Sequence, residues 1–181
     1  MQQKTLTRSL ILLISGVYLL TLTQPNLQGE LAMWGYGVQD GQYYRLFTVA
    51  LVHGGFVHLI CNMLAFFSIG TPLENFYGRN KYIALLLISL LCGSLASFLF
   101  NPLQTVAVGA SGMIFGLFGA FAVVGKRMGG NFREALTLIA VNMAIPLIIP
   151  GIDWKAHLGG LIGGALTALV LKPARGNISS F

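Results

Sequence analysis

The 44 residues from Tyr82 to Gly125 contain no charged side chain. As one helix this stretch would measure about 66 Å at 1.5 Å per residue, about twice the hydrocarbon thickness of a bilayer. Asn101-Pro102 divides it, because proline lacks the N–H that a continuing helix needs and restricts the residue before it. Two adjacent apolar helices leave little surface that water can solvate. Charged residues make up only 9 % of the 181, against about a quarter in soluble domains. The expected fold class is therefore all-α, a polytopic membrane protein forming a single domain over residues 1–181.

A helical span takes about 20 predominantly apolar residues. Six segments qualify, at about 6–23, 56–76, 82–100, 110–125, 132–149 and 154–171. Lys4 and Arg8 ahead of the first run imitate a signal peptide. No small-x-small cleavage site follows, so an uncleaved first span is expected. Residues 24–55 carry Gly, Gln, Trp34, Tyr36, Tyr43 and Tyr44. They are too polar to span, and their aromatics suit the headgroup zone, so an interfacial loop is expected there.

The net charge of +6 does not point to nucleic acid, because no basic cluster is interleaved with aromatics. Instead the cations fall between spans. Lys4, Arg8, Arg79, Lys81, Lys126, Arg127, Arg133, Lys172 and Arg175 share one side, and only Arg45 and Lys155 fall on the other. Positive charge accumulates in the cytoplasm. A cell-membrane protein (inner or plasma membrane) with both termini cytoplasmic is expected, its second, fourth and sixth helices running inward from the outer face. Cys61 and Cys92 lie within apolar runs and read as small buried hydrophobes, with no metal and no cofactor expected.

Polar residues inside spans are costly and ask for a reason. His53, His58 and Asn62 lie near the start of the second helix, Ser111 at the start of the fourth and His157 at the start of the sixth. These are the chain's three histidines, and the topology places all of them in one outer layer. Singly, each has a bland explanation: a membrane serine bonds back to a carbonyl one turn earlier, and a histidine at a helix end rests in the interface. Together they do not. Gly112, Gly116 and Ala120 recur every four residues on the fourth helix, as do Ala156, Gly160, Gly164 and Ala168 on the sixth. Small-xxx-small faces let membrane helices approach closely, which brings a short serine and a histidine within reach of each other.

Those residue types support acyl transfer. His157 would take the Ser111 proton as the hydroxyl attacks a carbonyl and pass it to the leaving amine. The Ser111 amide at a helix N-terminus, with His58 and Asn62 one turn apart on the second helix, would supply oxyanion donors. Asp153, one turn before His157, reads as a helix cap, leaving a dyad. The fourth helix is short, so its start and the non-helical residues 105–110 can line a water-filled dip. The fifth helix and the Pro150–Lys155 connection are expected to gate entry.

Gly109-Ala110-Ser111-Gly112 resembles the GxSG motif of the rhomboid family. Ala156-His157 with Gly160 and Gly164 resembles its AHxxGxxxG motif, His58 to Asn62 its HxxxN motif, and Tyr44-Arg45 its aromatic-Arg pair. The resemblance implies a six-transmembrane-helix bundle without a further domain. It also implies a serine endopeptidase that cleaves transmembrane protein substrates within the lipid bilayer, through a site opening to the outer face. Ser111 and His157 would be catalytic, with His58, Asn62, Gly109 and Ala110 around the oxyanion and substrate. Gly112, Gly160, Gly164 and His53 would support them. Several relatives carry Tyr four residues after the nucleophile; Phe115 stands there in this chain and can stack on the base without donating a hydroxyl. The rival readings are a transporter with a histidine relay, for which Glu74 is the only acidic candidate, and an inactive escort of membrane proteins.

Overall fold

A computed structural model describes residues 5–129 and 151–174, together with 133, 137 and 140. The expected fifth helix, about 132–149, and its gating role lie outside these described residues. Helix α1, Leu6–Thr23, starts at Thr5, whose side chain accepts the Arg8 amide at 3.4 Å. A second cap comes from another helix. The buried Glu74 carboxylate, near the end of helix α5 (Phe56–Tyr77), accepts the Leu6 and Thr7 amides at 2.6 and 2.9 Å and the Thr7 hydroxyl at 2.7 Å. A carboxylate at a helix start supplies acceptors to amides that have no partner within the helix.

Residues 24–55 are more than an interfacial loop. They fold into α2 (Pro25–Leu31), β1 (Met33–Trp34), α3 (Gly35–Gln39), α4 (Arg45–Thr48) and a 3-10 turn over Val49–Leu51. Arg45, only 6 % exposed, organises them. Its guanidinium donates to Gln42 Oε1 at 2.6 Å and to the carbonyls of Gly29 and Ala32 at 2.8 and 2.7 Å. It also lies over the Trp34 and Tyr44 rings. Five donors in a rigid fork make arginine suited to gathering carbonyls from several turns. This folded segment is stitched to the one before Ser111: β1 pairs antiparallel with β2, Val106–Ala107, and the Tyr36 amide donates to the Leu103 carbonyl at 3.1 Å.

Helix α5, Phe56–Tyr77, ends at Gly78, whose φ of +74° is the left-handed conformation that glycine adopts freely. Helix α6, Arg79–Phe100, starts immediately, a turn earlier than the 82 expected from charge alone. Helix α7, Ser111–Val124, has 14 residues or about 21 Å; it continues as a 3-10 turn to Met128. Helix α8 is Trp154–Val170. Four of the described helical segments, α1, α5, α6 and α7 with its 3-10 turn, are long and apolar enough to cross a membrane. Large apolar side chains such as Leu12, Val57, Leu99 and Leu169 face outward, as lipid contact requires. The chain is a helical, multi-pass membrane protein.

Helix α8 is wedged between α6 and α7 with glycine on both contacts. Toward α7, a Cβ on Gly160 would overlap the Gly112 carbonyl, and one on Gly164 the Gly116 carbonyl. Toward α6, a Cβ on Gly159 would meet Cys92 and Ala96, and one on Gly163 would meet Cys92. The doublets Gly159-Gly160 and Gly163-Gly164 thus serve two neighbours at once: the first residue of each faces α6 and the second faces α7. The sequence reading had found only the second face.

Two substitutions separate packing from propensity. Gly160→Ala forces a methyl against backbone that cannot swing aside and is expected to cost about 1–3 kcal/mol. Gly16 lies on the exposed face of α1 with nothing within 4 Å; Gly16→Ala is expected to be neutral or to gain up to about 1 kcal/mol. Thermal melts in detergent check both, and equal loss at the two positions would refute the close-approach account.

Candidate active site

The close approach of α7 and α8 sets the central contact. Ser111 is the first residue of α7 and His157 lies in the first turn of α8. Ser111 Oγ and His157 Nε2 lie in hydrogen-bond contact at 2.9 Å, a distance within the range for a nucleophile and its base. One turn along α7, the buried Phe115 ring stacks on the imidazole, centroids 4.1 Å apart and planes within 10°. His157 Nδ1 is buried without a hydrogen-bond partner.

Asp153 does not orient that nitrogen. It is the N-cap of α8 and accepts the Ala156 amide at 3.0 Å. Its other oxygen accepts the Ser97 hydroxyl at 2.5 Å and the Asn101 amide at 3.0 Å, both from the C-terminal end of α6. In return, the Lys155 ammonium donates to the Phe100 carbonyl of α6. An anion at one helix start and a cation at the other helix end each match the local dipole. These four side chains lash α8 to α6 just before His157. Ser97 and Asn101 were missed in the sequence, because a helical serine reads equally well as bonding back to its own backbone.

The segment before Ser111 runs over His58 of α5. Gly109 has φ of +122°, and a Cβ there would stand 3.0 Å from His58 Nε2 and 3.8 Å from Ser111 Oγ. A side chain is therefore excluded twice, by backbone conformation and by space. The gap it leaves lies between the serine oxygen and a ring nitrogen of His58. Asn62, one turn below His58, is buried. It donates to the His58 carbonyl at 2.9 Å, and its own carbonyl oxygen has no partner. His53 packs edge-on against His58, centroids 5.1 Å apart.

The structure thus gathers Ser111, His157, Phe115, His58, Gly109, Ala110 and His53 at one end of the bundle, with Gly112 and Gly160 directly beneath and Gly164 one turn deeper. The Gly109 and Ala110 amides are not free donors: the first donates to the Val49 carbonyl at 3.0 Å, and the second to His53 Nε2 at 3.5 Å. Ser111 N–H, at the first position of α7, keeps the orientation of an unpaired helix-start amide. Glu74, the acid named for a transport path, already caps α1 at the other end of its helix.

Residues 40–174 match the Rhomboid domain family. The chain is 35 % identical over 139 residues to "Rhomboid protease GluP" of Bacillus subtilis (strain 168), covering 74 % of this chain and 27 % of that protein. It is 32 % identical over 145 residues to "Putative rhomboid protease YdcA" of the same organism, covering 76 % of this chain and 71 % of that one. It is 39 % identical over 148 residues to "RHOMBOID-like protein 1" of Arabidopsis thaliana, covering 77 % and 38 % respectively. The chain therefore spans well under two thirds of the first and third of these relatives.

The lash between α6 and α8 makes a stability prediction. Asp153→Ala removes a helix cap and is expected to cost about 1–2 kcal/mol, whereas Asp153→Asn, an equally good cap, should stay nearer wild type. Melting temperatures of the two variants decide; no loss in the alanine variant would dismiss the lash.

Proposed function

The chain belongs to the rhomboid family, and from that premise we propose that it is an intramembrane serine endopeptidase with Ser111 as nucleophile and His157 as general base. The 2.9 Å contact between Ser111 Oγ and His157 Nε2 carries the proposal. Its substrates are transmembrane segments of other proteins, reached within the bilayer. Both termini lie in the cytoplasm and the site opens to the outer face, a reading supported by the topology expected from the sequence, which puts nine of the 11 Lys and Arg residues on the side away from the dyad.

Neutral His157 holds its proton on Nδ1 and accepts the Ser111 proton on Nε2 as Oγ attacks the scissile carbonyl. The carbonyl oxygen gains negative charge and moves into the gap beside Gly109. There the Ser111 N–H and the His58 Nε2–H donate to it. Asn62 holds the first turn of α5 through the His58 carbonyl and can turn its second N–H toward the same space. Fixed donors at a developing charge act without reorganising. Collapse of the tetrahedral intermediate breaks the C–N bond as His157 returns the proton to the amine. A water, deprotonated by the same Nε2, then attacks the acyl ester and frees Ser111. No carboxylate takes part; Phe115 holds the imidazole plane through the stacked ring.

A fluorophosphonate probe that phosphonylates activated serines tests the assignment. Wild type should label, Ser111→Ala should not, and His157→Ala should label about 10²–10⁴-fold more slowly. Equal labelling of wild type and Ser111→Ala would remove the nucleophile. Phe115→Leu keeps an apolar side chain but loses the ring face. It should lower kcat on a transmembrane reporter about 10-fold, within the range for a misplaced catalytic group. Wild-type kcat in that variant would show that the stack is idle.

A further inference from the structure

We propose that His53 is a positioning residue that, with the Val49 carbonyl, clamps the Gly109–Ala110 segment so that the Ser111 amide alone is left to face the reacting oxygen. The inference rests on the protease reading.

His53 follows the 3-10 turn Val49–Leu51 and precedes α5. It is 1 % exposed, a burial that needs a reason for a side chain with two polar nitrogens. The Ala110 amide donates to its Nε2. Four residues earlier on the same folded segment, the Val49 carbonyl takes the Gly109 amide. Two successive N–H groups ahead of α7 are thereby held from one side, by acceptors on a segment that Arg45 makes rigid. Gly109 has a φ of +122°, a conformation open to glycine and rarely to a residue with a Cβ. Ala110 is the N-cap of α7 and Ser111 its first residue. Fixing the two amides before it fixes the direction of the Ser111 N–H.

The same ring supports the other donor. Its edge-on contact with His58, at 5.1 Å between centroids and 64° between planes, limits how far the His58 imidazole can swing away from the gap beside Gly109. His53 accepts through Nε2, so its proton is on Nδ1. Burial, and after it the neighbouring His58, lowers its pKa from 6.5 to about 4; the accepting lone pair is then present at neutral pH. A protonated His53 would present an N–H to the Ala110 N–H and open the clamp. One residue thus sets both oxyanion donors without touching substrate.

Two variants distinguish positioning from mere filling. His53→Gln carries an amide oxygen at about the reach of Nε2; His53→Leu fills the space without an acceptor. Three readouts apply: the fluorophosphonate labelling rate, kcat and KM on a transmembrane reporter, and amide hydrogen exchange at Ala110. In His53→Leu, labelling and kcat should fall about 10–100-fold with KM little changed, within the range expected when an oxyanion donor is displaced, and Ala110 should exchange faster. His53→Gln should recover most of the rate and the protection. Wild-type labelling in His53→Leu overturns the proposal. So does a His53→Gln variant that protects Ala110 as wild type does yet is as slow as His53→Leu. A wild-type protein that shows no Ser111-dependent labelling sinks the protease reading instead, while Ala110 exchange still decides whether the clamp exists.

Discussion

A backbone carbonyl of Gly112 occupies the place where a Cβ of Gly160 would stand, and the rest of the molecule depends on that contact. Lipid offers no hydrophobic drive to bring two apolar helices together, so close packing of small residues must do it. Once α7 and α8 meet with no side chain between them, the first residue of one and the fourth of the other fall within hydrogen-bond range. A methyl group at this interface would separate the axes by more than the 2.9 Å bond between Ser111 and His157 can absorb. The same economy acts on the far side of α8, where Gly159 and Gly163 admit Cys92 and Ala96 of α6. Helix α8 is therefore held on two faces, and the His157 ring inherits that rigidity.

Charged groups away from water need partners, and three of them find those partners across elements. Glu74 of α5 caps α1, Asp153 at the start of α8 binds the end of α6, and Arg45 gathers carbonyls from the segment after α1. Each replaces a hydrogen bond that water would make in a soluble protein. Each also fixes the relative height of two elements, which sliding apolar faces alone would leave undetermined. The segment between α1 and α5 gains most. Ordered by Arg45 and joined to β2, it becomes a wall on which the backbone leading into Ser111 is mounted.

Much of this was legible in the sequence, for reasons that are physical. Charge-free runs the length of a bilayer give helices directly, and the expected first helix at 6–23 lies over Leu6–Thr23. Four-residue glycine spacing identified the α7 face of α8, and three histidines in one layer pointed to Ser111. Side chains that act over long separations were not legible. Nothing local shows that Ser97 serves Asp153, or that the Ala110 amide ends on a ring 57 residues away. The doublets Gly159-Gly160 and Gly163-Gly164 were legible in principle, since neighbours on a helix point about 100° apart. The turns within 24–55 were not, because their order comes from one buried arginine rather than from any periodicity.

The dyad reading raises the question of how a base works without an acid behind it. In a triad the carboxylate holds the tautomer, fixes the ring plane and balances the imidazolium. Here His157 Nδ1 has no partner and Asp153 is committed to α8's cap and to α6. Helix rigidity and the parallel Phe115 ring take over the plane. The face of an aromatic ring is also electron-rich, so Phe115 attracts the imidazolium in the moment it exists, at a distance where no hydroxyl is required. The oxyanion forms in the same step, a few ångströms away, and offsets the new positive charge. A site organised in this way needs no permanent counter-charge in the membrane; it needs the oxyanion donors aimed before the proton moves. That requirement places the backbone from Gly109 to Ser111, rather than a third catalytic side chain, next in importance after the Ser111–His157 pair.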